Sequence, residues 1–383
     1  MTKIKFRPGW SAVFVLLAAV LVVSPVWAGG GQPDKPAEVR IGSLLVLSGQ
    51  YKSFGDMVKK GIDVAEKRIA EKGPAPLRMY VYDHQYDKSV VEEKLALLKI
   101  KGVHYIADIM GSGLCENALP AVERNDMIVL SAVNTSTAFT YSGDKRFFRV
   151  VPSDGIAAAQ ASSWALGLGL KQAVVVFNNT EWGQQLAQVF EKEFQDAGGK
   201  VVFSEPVAED QILFAPLVNK IKPYKDAVIF LAVSPSQAGL IVKESHKQEI
   251  ANSFLGTDNF TAEEIITTGG NTLAGVRYVI PVQKAERTAE RESFDSLYKD
   301  AFGDETPHIF TVYIYDVVNI LYNVALKAGD DTAKAIEMLE SLDYQGASGR
   351  IRFDKNHDVL VSDYQHMIFK DEGGSIIRSP ADE

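Results

Sequence analysis

From residue 39 onward the chain alternates apolar runs with amphipathic stretches, and this alternation limits its fold more than any other feature. "VRIGSLLVL" (39–47) reads as a continuous apolar run, as in a strand buried on both faces. "FGDMVKKGIDVAEKRIAEKG" (54–73) puts Val58, Ile62, Ala65 and Ile69 on one helical face and stops at Gly73. "LRMYVYD" is a second strand, and "DKSVVEEKLALLKI" a second helix with Asp87 or Ser89 as its cap. "HYIADIM", a helix from Cys115, and "MIVLS" continue the pattern. After "FFRVVPSDG" the rhythm restarts, with helices expected at 155–168, 181–197, 213–221 and from Ser236. Between them lie "AVVVF", "KVVFS", "AVIFLAV" and "SFLGT". Repeated strand–helix units imply a parallel sheet with helices on both faces, joined by right-handed crossovers. Two blocks imply two α/β lobes, each doubly wound. Residues 284–342 read as mainly helical, and the tail "GRIRFDKNHDVLVSDYQHMIF" as strand and turn.

The first 28 residues stand apart from this pattern. Lys3, Lys5 and Arg7 precede the 14-residue apolar core "WSAVFVLLAAVLVV", and Val26 and Ala28 occupy the −3 and −1 positions of a cleavage site. That is the pattern of a secretory signal peptide; an uncleaved anchor is the competing reading. A cleaved product would be periplasmic, without a lipid anchor, since no cysteine lies near the cut. Residues 29–36 read as a mobile Gly/Pro-rich tail. No later segment is expected to cross a bilayer. The full chain carries a formal charge of −9, and losing the three basic residues of the leader makes it more acidic. Nucleic acid and anionic membrane surfaces are therefore poor partners. Cys115 is the single cysteine, so no internal disulfide is possible. It is either a buried apolar residue or a reactive thiol. Histidines 84, 104, 246, 308, 357 and 366 fall into no ligand spacing; no metal, cofactor or catalytic residue is expected.

In open parallel sheets ligands bind beyond the carboxyl ends of the strands, so the residues that follow each strand are the candidates. "SGQYKSFG" brings Ser48 and Phe54, "GSGLCE" brings Ser112, and "AVNTST" brings Asn134 and Thr135. In the second block "NNTEWG" brings Trp182, and "SFLGT" is followed by Asp258, Asn259 and Phe260. Each also has an ordinary structural reading: Ser112 and Thr135 as helix caps, Trp182 as core, Asp258 as a turn acid. Their shared placement after separate strands favours a small-molecule cleft between the lobes. "GSGLCE" lacks the third glycine and the lysine of a phosphate cradle. A carboxylate held by Ser112, Thr135 and a helix N-terminus fits better.

With these residues in view, the chain resembles the type I periplasmic binding proteins, in particular their leucine/isoleucine/valine-binding branch. The likeness runs in order through "VRIGSLLVLSGQYKSFGDMVKKGIDVAEKRI", "GSGLCENALPAVERNDMIVLSAVNTSTAFT", "FFRVVPSD", "NNTEWGQQLAQVFEKEFQDAGGKVV" and "GRIRFDKNHD". The resemblance implies a Venus-flytrap with a three-crossing hinge. One lobe would take 37–153 plus 281–350, the other 154–280 plus 351–383. It implies capture of a small amino acid-like ligand, without catalysis, for the membrane subunits of an ABC importer, by a monomer. Ser112 and Thr135 match positions that hold an α-carboxylate. The backbone near Asn134 matches an acceptor for the α-ammonium, Asp258 its acidic partner, and Phe54, Trp182 and Phe310 aromatic walls. Asp258 is one methylene shorter than the family's usual Glu, Val233 stands where branched-chain binders often carry Tyr, and Asn134 replaces a small residue. Aliphatic or aromatic amino acids lead as ligands, with amides, urea-like molecules and aromatic acids as alternatives. A ligand-sensing receptor subunit is a second reading. An envelope hydrolase is a third, disfavoured by the lack of Gly-x-Ser-x-Gly.

Overall fold

The computed structural model describes residues 38–49, 51–281, 288–360 and 364–381. The leader and tail assigned to 1–36 therefore lie outside the described residues. The strands are β1 (Val39–Leu45), β2 (Leu77–Asp83), β3 (Tyr105–Ile109), β4 (Ile128–Ser131), β5 (Phe147–Arg149), β6 (Gln172–Asn178), β7 (Lys200–Val207), β8 (Ala227–Ala232), β9 (Phe254–Gly256), β10 (Arg277–Pro281), β11 (Tyr344–Gly346), β12 (Gly349–Ile351), β13 (Tyr364–Glu372) and β14 (Ser375–Pro380). The helices are α1 (Lys52–Lys72), α2 (Lys88–Ile100), α3 (Ser112–Arg124), α4 (Ala138–Ser142), α5 (Asp154–Gly167), α6 (Glu181–Asp196), α7 (Ala215–Ile221), α8 (Pro235–Lys247), α9 (Glu263–Gly269), α10 (Ala289–Phe302), α11 (Ile309–Ala328) and α12 (Thr332–Glu340).

The first sheet is parallel, in the order β2-β1-β3-β4-β5. The second repeats that order in β7-β6-β8-β9-β10, again parallel. Antiparallel β13 and β14 then extend its β10 edge. Each sheet reverses its winding beside its first strand, between β1 and β3 and between β6 and β8. At such a switch point the connecting loops diverge and leave a crevice.

Helical periodicity decides which faces are covered. Val58, Ile62, Ala65 and Ile69 of α1 are buried, as their spacing requires. At Gly61 the absence of a side chain brings α1 against the Thr311 carbonyl of α11, where a Cβ would overlap it. Among the described residues α11 is long and apolar enough to span a membrane, against the expectation for every segment after the leader, and 83% of the qualifying window is buried inside the protein. It is a core helix, sandwiched between the first sheet and α1.

The chain divides later than its sequence suggests. The sequence pattern places the residues from 351 in the second lobe, yet Ile351, Phe353 and Val359 belong to the core around the first sheet. His357 stacks on Phe148 with ring centroids 3.8 Å apart. The anchor of this segment is Asp358. Its Oδ1 accepts from Nε of the fully buried Arg149 at 2.5 Å, and its Oδ2 accepts from Thr140 Oγ1 at 2.6 Å. Only from β13 does the tail join the second sheet.

Removing one partner of a buried ion pair strands the other charge and costs about 3–5 kcal/mol. Asp358→Ala is therefore expected to lower stability by about that amount in chemical denaturation. A loss below about 1 kcal/mol would show that the pair does not hold the loop.

Candidate functional site

The first lobe's half of the site is built on a strained residue. Asp108, at the end of β3, has φ +75°, a conformation that costs non-glycine residues energy and persists only where the surroundings enforce it. Here its buried carboxylate accepts from Ala132 N at 2.6 Å, Val133 N at 3.1 Å, Ser131 Oγ at 3.1 Å and Asn134 Nδ2 at 2.9 Å. This knot ties the end of β3 to the turn after β4. Asn134 Nδ2 also donates to the Ile109 carbonyl at 2.9 Å, so its amide faces the scaffold and is absent from the cavity wall. The sequence placed Asn134 in the site; the demand of the Asp108 carboxylate for donors draws it away. The Asn134 carbonyl is engaged as well, accepting from Arg149 Nη1 at 3.2 Å, and the same nitrogen donates to the Ser136 carbonyl at 2.7 Å. Thr135 lies between these two clamped residues.

Gly111, with φ +103°, turns the chain from β3 into α3, so that Ser112 opens the helix. The N–H groups of a first helical turn have no partner within the helix. Cys115 lies deeper, fully buried, and burial pushes its thiol well above the ordinary range. It packs with Leu119, Val122 and Val129 as an apolar residue. The inert reading of Cys115 is the one the structure bears out.

In the second lobe Thr180 caps α6 by accepting from Gly183 N at 3.1 Å, which places Trp182 in the first turn. Asp258 opens a short 3-10 helix, Asp258–Thr261, and Thr261 Oγ1 donates back to the Asp258 carbonyl. Asn178, at the end of β6, accepts from Ser234 N at 2.8 Å and donates to Gln237 Oε1 at 2.6 Å, tying β6 to β8 at the switch point. Val233 does not line the site. It is fully buried in the second core, and its carbonyl accepts from Asn259 Nδ2 at 2.7 Å. Its contribution is to fix Asn259, which does reach the wall. Phe260, also singled out by its position, is buried in that same core.

The two rims enclose a cavity of about 140 Å³. From the first lobe it is lined by Phe54, Ser112, Thr135 and Phe310, and from the second by Trp182 and Asp258. These are the sequence candidates brought together. Tyr51, Tyr86 and Met110 complete the apolar side. Tyr51 and Tyr86 pack with ring centroids 4.9 Å apart, and Phe54 and Phe310 at 6.4 Å. Tyr51 lies in the stretch after β1 that supplied Phe54, so the strand-end rule covers it. Ser48, from that stretch, is turned to Asp83 instead.

Asp154 is the residue whose charge sequence reasoning missed. It opens α5 where the chain enters the second lobe, and Ser-Asp there reads as a cap; Ser153 does accept from Gly155 N. Asp154 N donates to the Thr135 carbonyl at 2.8 Å. Its Oδ2 is buried and has no protein hydrogen-bond partner. Burial, then the charge of Asp258, pushes the Asp154 carboxyl up to about 7, against the opposing pull of Thr135, Arg149 and Trp182. Burial also lifts Asp258 to about 6. Two acids thus share one desolvated region beside the cavity. Among the described residues no group of three or more His, Cys, Asp or Glu is placed to hold a metal ion.

The lobes also touch at the rim: Tyr51 Oη donates to Glu209 Oε1, and Ser136 Oγ to Gln185 Oε1. A Cβ on Gly113 would lie 3.0 Å from that of Glu181.

A sequence profile of the periplasmic binding protein family matches residues 38–374. The chain belongs to that family. An amino acid binding protein from Pseudomonas aeruginosa is 27% identical over 382 residues, covering 97% of this chain and 98% of its own. A leucine-binding protein from Thermotoga maritima superposes with a TM-score of 0.81 at 23% identity, over 89% of this chain and 97% of its own. A solute-binding protein of an ABC transporter from R. palustris, in complex with benzoate, superposes at 0.78 with 17% identity, over 90% and 96%. The fold of this periplasmic binding protein is that of its solved relatives: two α/β lobes with parallel sheets.

A carboxyl whose folded pKa is raised binds protons on folding, so its burial cost is full above the folded pKa and fades as pH falls towards the unfolded value. For Asp154 that window runs from about 7 down to 3.8. Asp154→Asn is expected to raise the melting temperature of ligand-free protein at pH 7.5 by roughly 2–6 °C. The gain should shrink steadily between pH 7 and pH 4. A variant melting lower than the parent at pH 7.5 would show that the acid is paired rather than stranded.

Proposed function

We propose that this protein captures a small amino acid between its lobes, unaltered, and delivers it to the membrane subunits of an ABC importer in the periplasm. The observation that carries the reading is the polarity of the cavity. Ser112, Thr135 and the first turn of α3 offer donors at one end, as an α-carboxylate requires. Asp258 on the wall, electrostatically coupled to the buried Asp154, supplies the acid that an α-ammonium requires. The aromatic side chains of Phe54, Phe310 and Trp182 supply an apolar wall. A buried water needs roughly 10–15 Å³, so the cavity of about 140 Å³ admits about ten such groups. Leucine or phenylalanine is of that size. The names of relatives point both to amino acids and, for the R. palustris structure, to benzoate. Asp258 favours the amino acid, because a plain carboxylate leaves it without a cationic partner.

Capture needs no bond to change. A ligand that bridges the lobes favours their closed arrangement by its differential affinity for it. A micromolar dissociation constant corresponds to about 8 kcal/mol, and hydrogen bonds to charged groups contribute roughly 1.5–3 kcal/mol each. A few such bonds and the aromatic wall reach that figure. The same trap would serve a receptor-coupled sensor, and co-purification with transporter or receptor subunits separates the two.

Calorimetry with L-leucine, L-phenylalanine and benzoate tests the reading. Thr135→Ala is expected to weaken the best amino acid at least tenfold; unchanged affinity would remove Thr135 from the site. Asp258→Asn should weaken the amino acids by tenfold or more while leaving benzoate unchanged or tighter. Equal losses for both classes would refute an ammonium partner at Asp258.

A further inference from the structure

One contact between the lobes runs through Thr261 to the backbone of Asp258. His308 precedes α11 of the first lobe and caps it, its Nδ1 accepting from Phe310 N at 3.2 Å. An acceptor Nδ1 fixes the tautomer, so the ring proton is on Nε2. Nε2 lies 2.7 Å from Oγ1 of Thr261, in the second lobe. Thr261 Oγ1 spends its own proton on the Asp258 carbonyl, and so accepts from His308. The donors run one way: His308 Nε2–H to Thr261, then Thr261 O–H to Asp258.

We propose that His308 is a positioning residue which, through Thr261, couples closure of the lobes to the placement of Asp258, and that it does so only while its ring is neutral. A second proton would go to Nδ1. That nitrogen would then face the Phe310 N–H as a donor, losing the cap and placing a cation in a buried contact between lobes. The surroundings give such a cation no relief. The charged side chain facing it from the second sheet is Arg378 on β14, which is paired with Glu263 of α9 at 2.5 Å. Asp258 meets it through its carbonyl, by way of Thr261. On its own helix the neighbour is the Phe310 ring, edge-on with centroids 4.9 Å apart. In this closed arrangement burial, and then Arg378, lowers His308 to about 4. Once the lobes part, Nε2 meets water and the ring returns towards the ordinary value of about 6.5. The closed form therefore binds fewer protons. Closure is fully supported above about pH 6.5 and loses support as pH falls towards 4. At pH 5.0 the loss from this group alone reaches about thirtyfold. Asp154 and Asp258 also titrate in this range, so the test compares variants at each pH.

The proposal depends on the lobes moving and is independent of which ligand they hold, so a ligand-free readout is used. The Cβ positions of residues 113 and 181 lie 3.0 Å apart when the lobes touch, about half an ångström short of the disulfide range, a gap that a slight parting of the two helices closes. In the full chain carrying Gly113→Cys and Glu181→Cys, the exchange equilibrium with glutathione reports the closed population. Ordinary thiols stay protonated from pH 5.0 to 7.5, and Cys115 is fully buried. The disulfide constant is expected to fall at least fivefold from pH 7.5 to 5.0 in this parent, and less than twofold when His308→Gln is added. Thr261→Val should lower it at least threefold at pH 7.5, and Thr261→Ser should restore it. Equal pH dependence with and without His308→Gln overturns the proposal, as does Thr261→Val behaving like Thr261→Ser. Failure of leucine to bind in calorimetry would sink the ligand reading and leave this result standing.

Discussion

The guanidinium of Arg149 is completely buried, and the first lobe's half of the site depends on it. It bonds Asp358 in the returning C-terminal segment, Thr140 in α4, and the carbonyls of Asn134 and Ser136 on either side of Thr135. Attraction within such a pair is largely spent on removing both charges from water. What it secures is geometry. The turn between β4 and α4 has few regular hydrogen bonds of its own, and two clamps hold it: Arg149 at its far end and the Asp108 carboxylate at its near end. A binding hydroxyl on a loop is useful only when the loop is not free to move.

The second half of the argument is electrostatic. Arg149 contributes some attraction to Asp154, but burial and Asp258 outweigh it. A protein selected for stability alone would not keep two acids in one desolvated region. Binding sites often carry such strain, and the fold's two large cores absorb it. In the proposed reading, an ammonium beside Asp258 offsets the repulsion between Asp258 and Asp154, so the charge that weakens the empty protein favours a cation in the cavity.

Much of this organisation was legible in the sequence, for a physical reason. A strand buried on both faces must be apolar throughout, and a helix covering a sheet must be apolar on one face. Period and run length therefore reveal the doubly wound lobes, and the strand-end rule places Ser112, Thr135, Trp182 and Asp258 together. The rule locates residues and does not aim side chains. Asn134 and Val233 have the right address, yet one is recruited by a buried carboxylate and the other by the second core. Asp154 was hidden for the opposite reason: an acid at a helix start has a sufficient local explanation, and its coupling to Asp258 arises only between residues far apart in the chain. The sequence places the start of the tail in the second lobe because the Asp358 contact with Arg149 spans 209 residues, which no local pattern registers.

The two kinds of contact between the lobes differ in what they can report. At the rim, Tyr51 with Glu209 and Ser136 with Gln185 join side chains that water can replace when the lobes part. Deeper in, His308 has no substitute partner for Nδ1 other than the helix end it caps, and its Nε2 proton has Thr261 as acceptor only in the closed arrangement. The interior contact makes the backbone at Asp258 respond to closure itself. The acid that lines the cavity from the second lobe is thus tied, through Thr261 and His308, to a helix of the first.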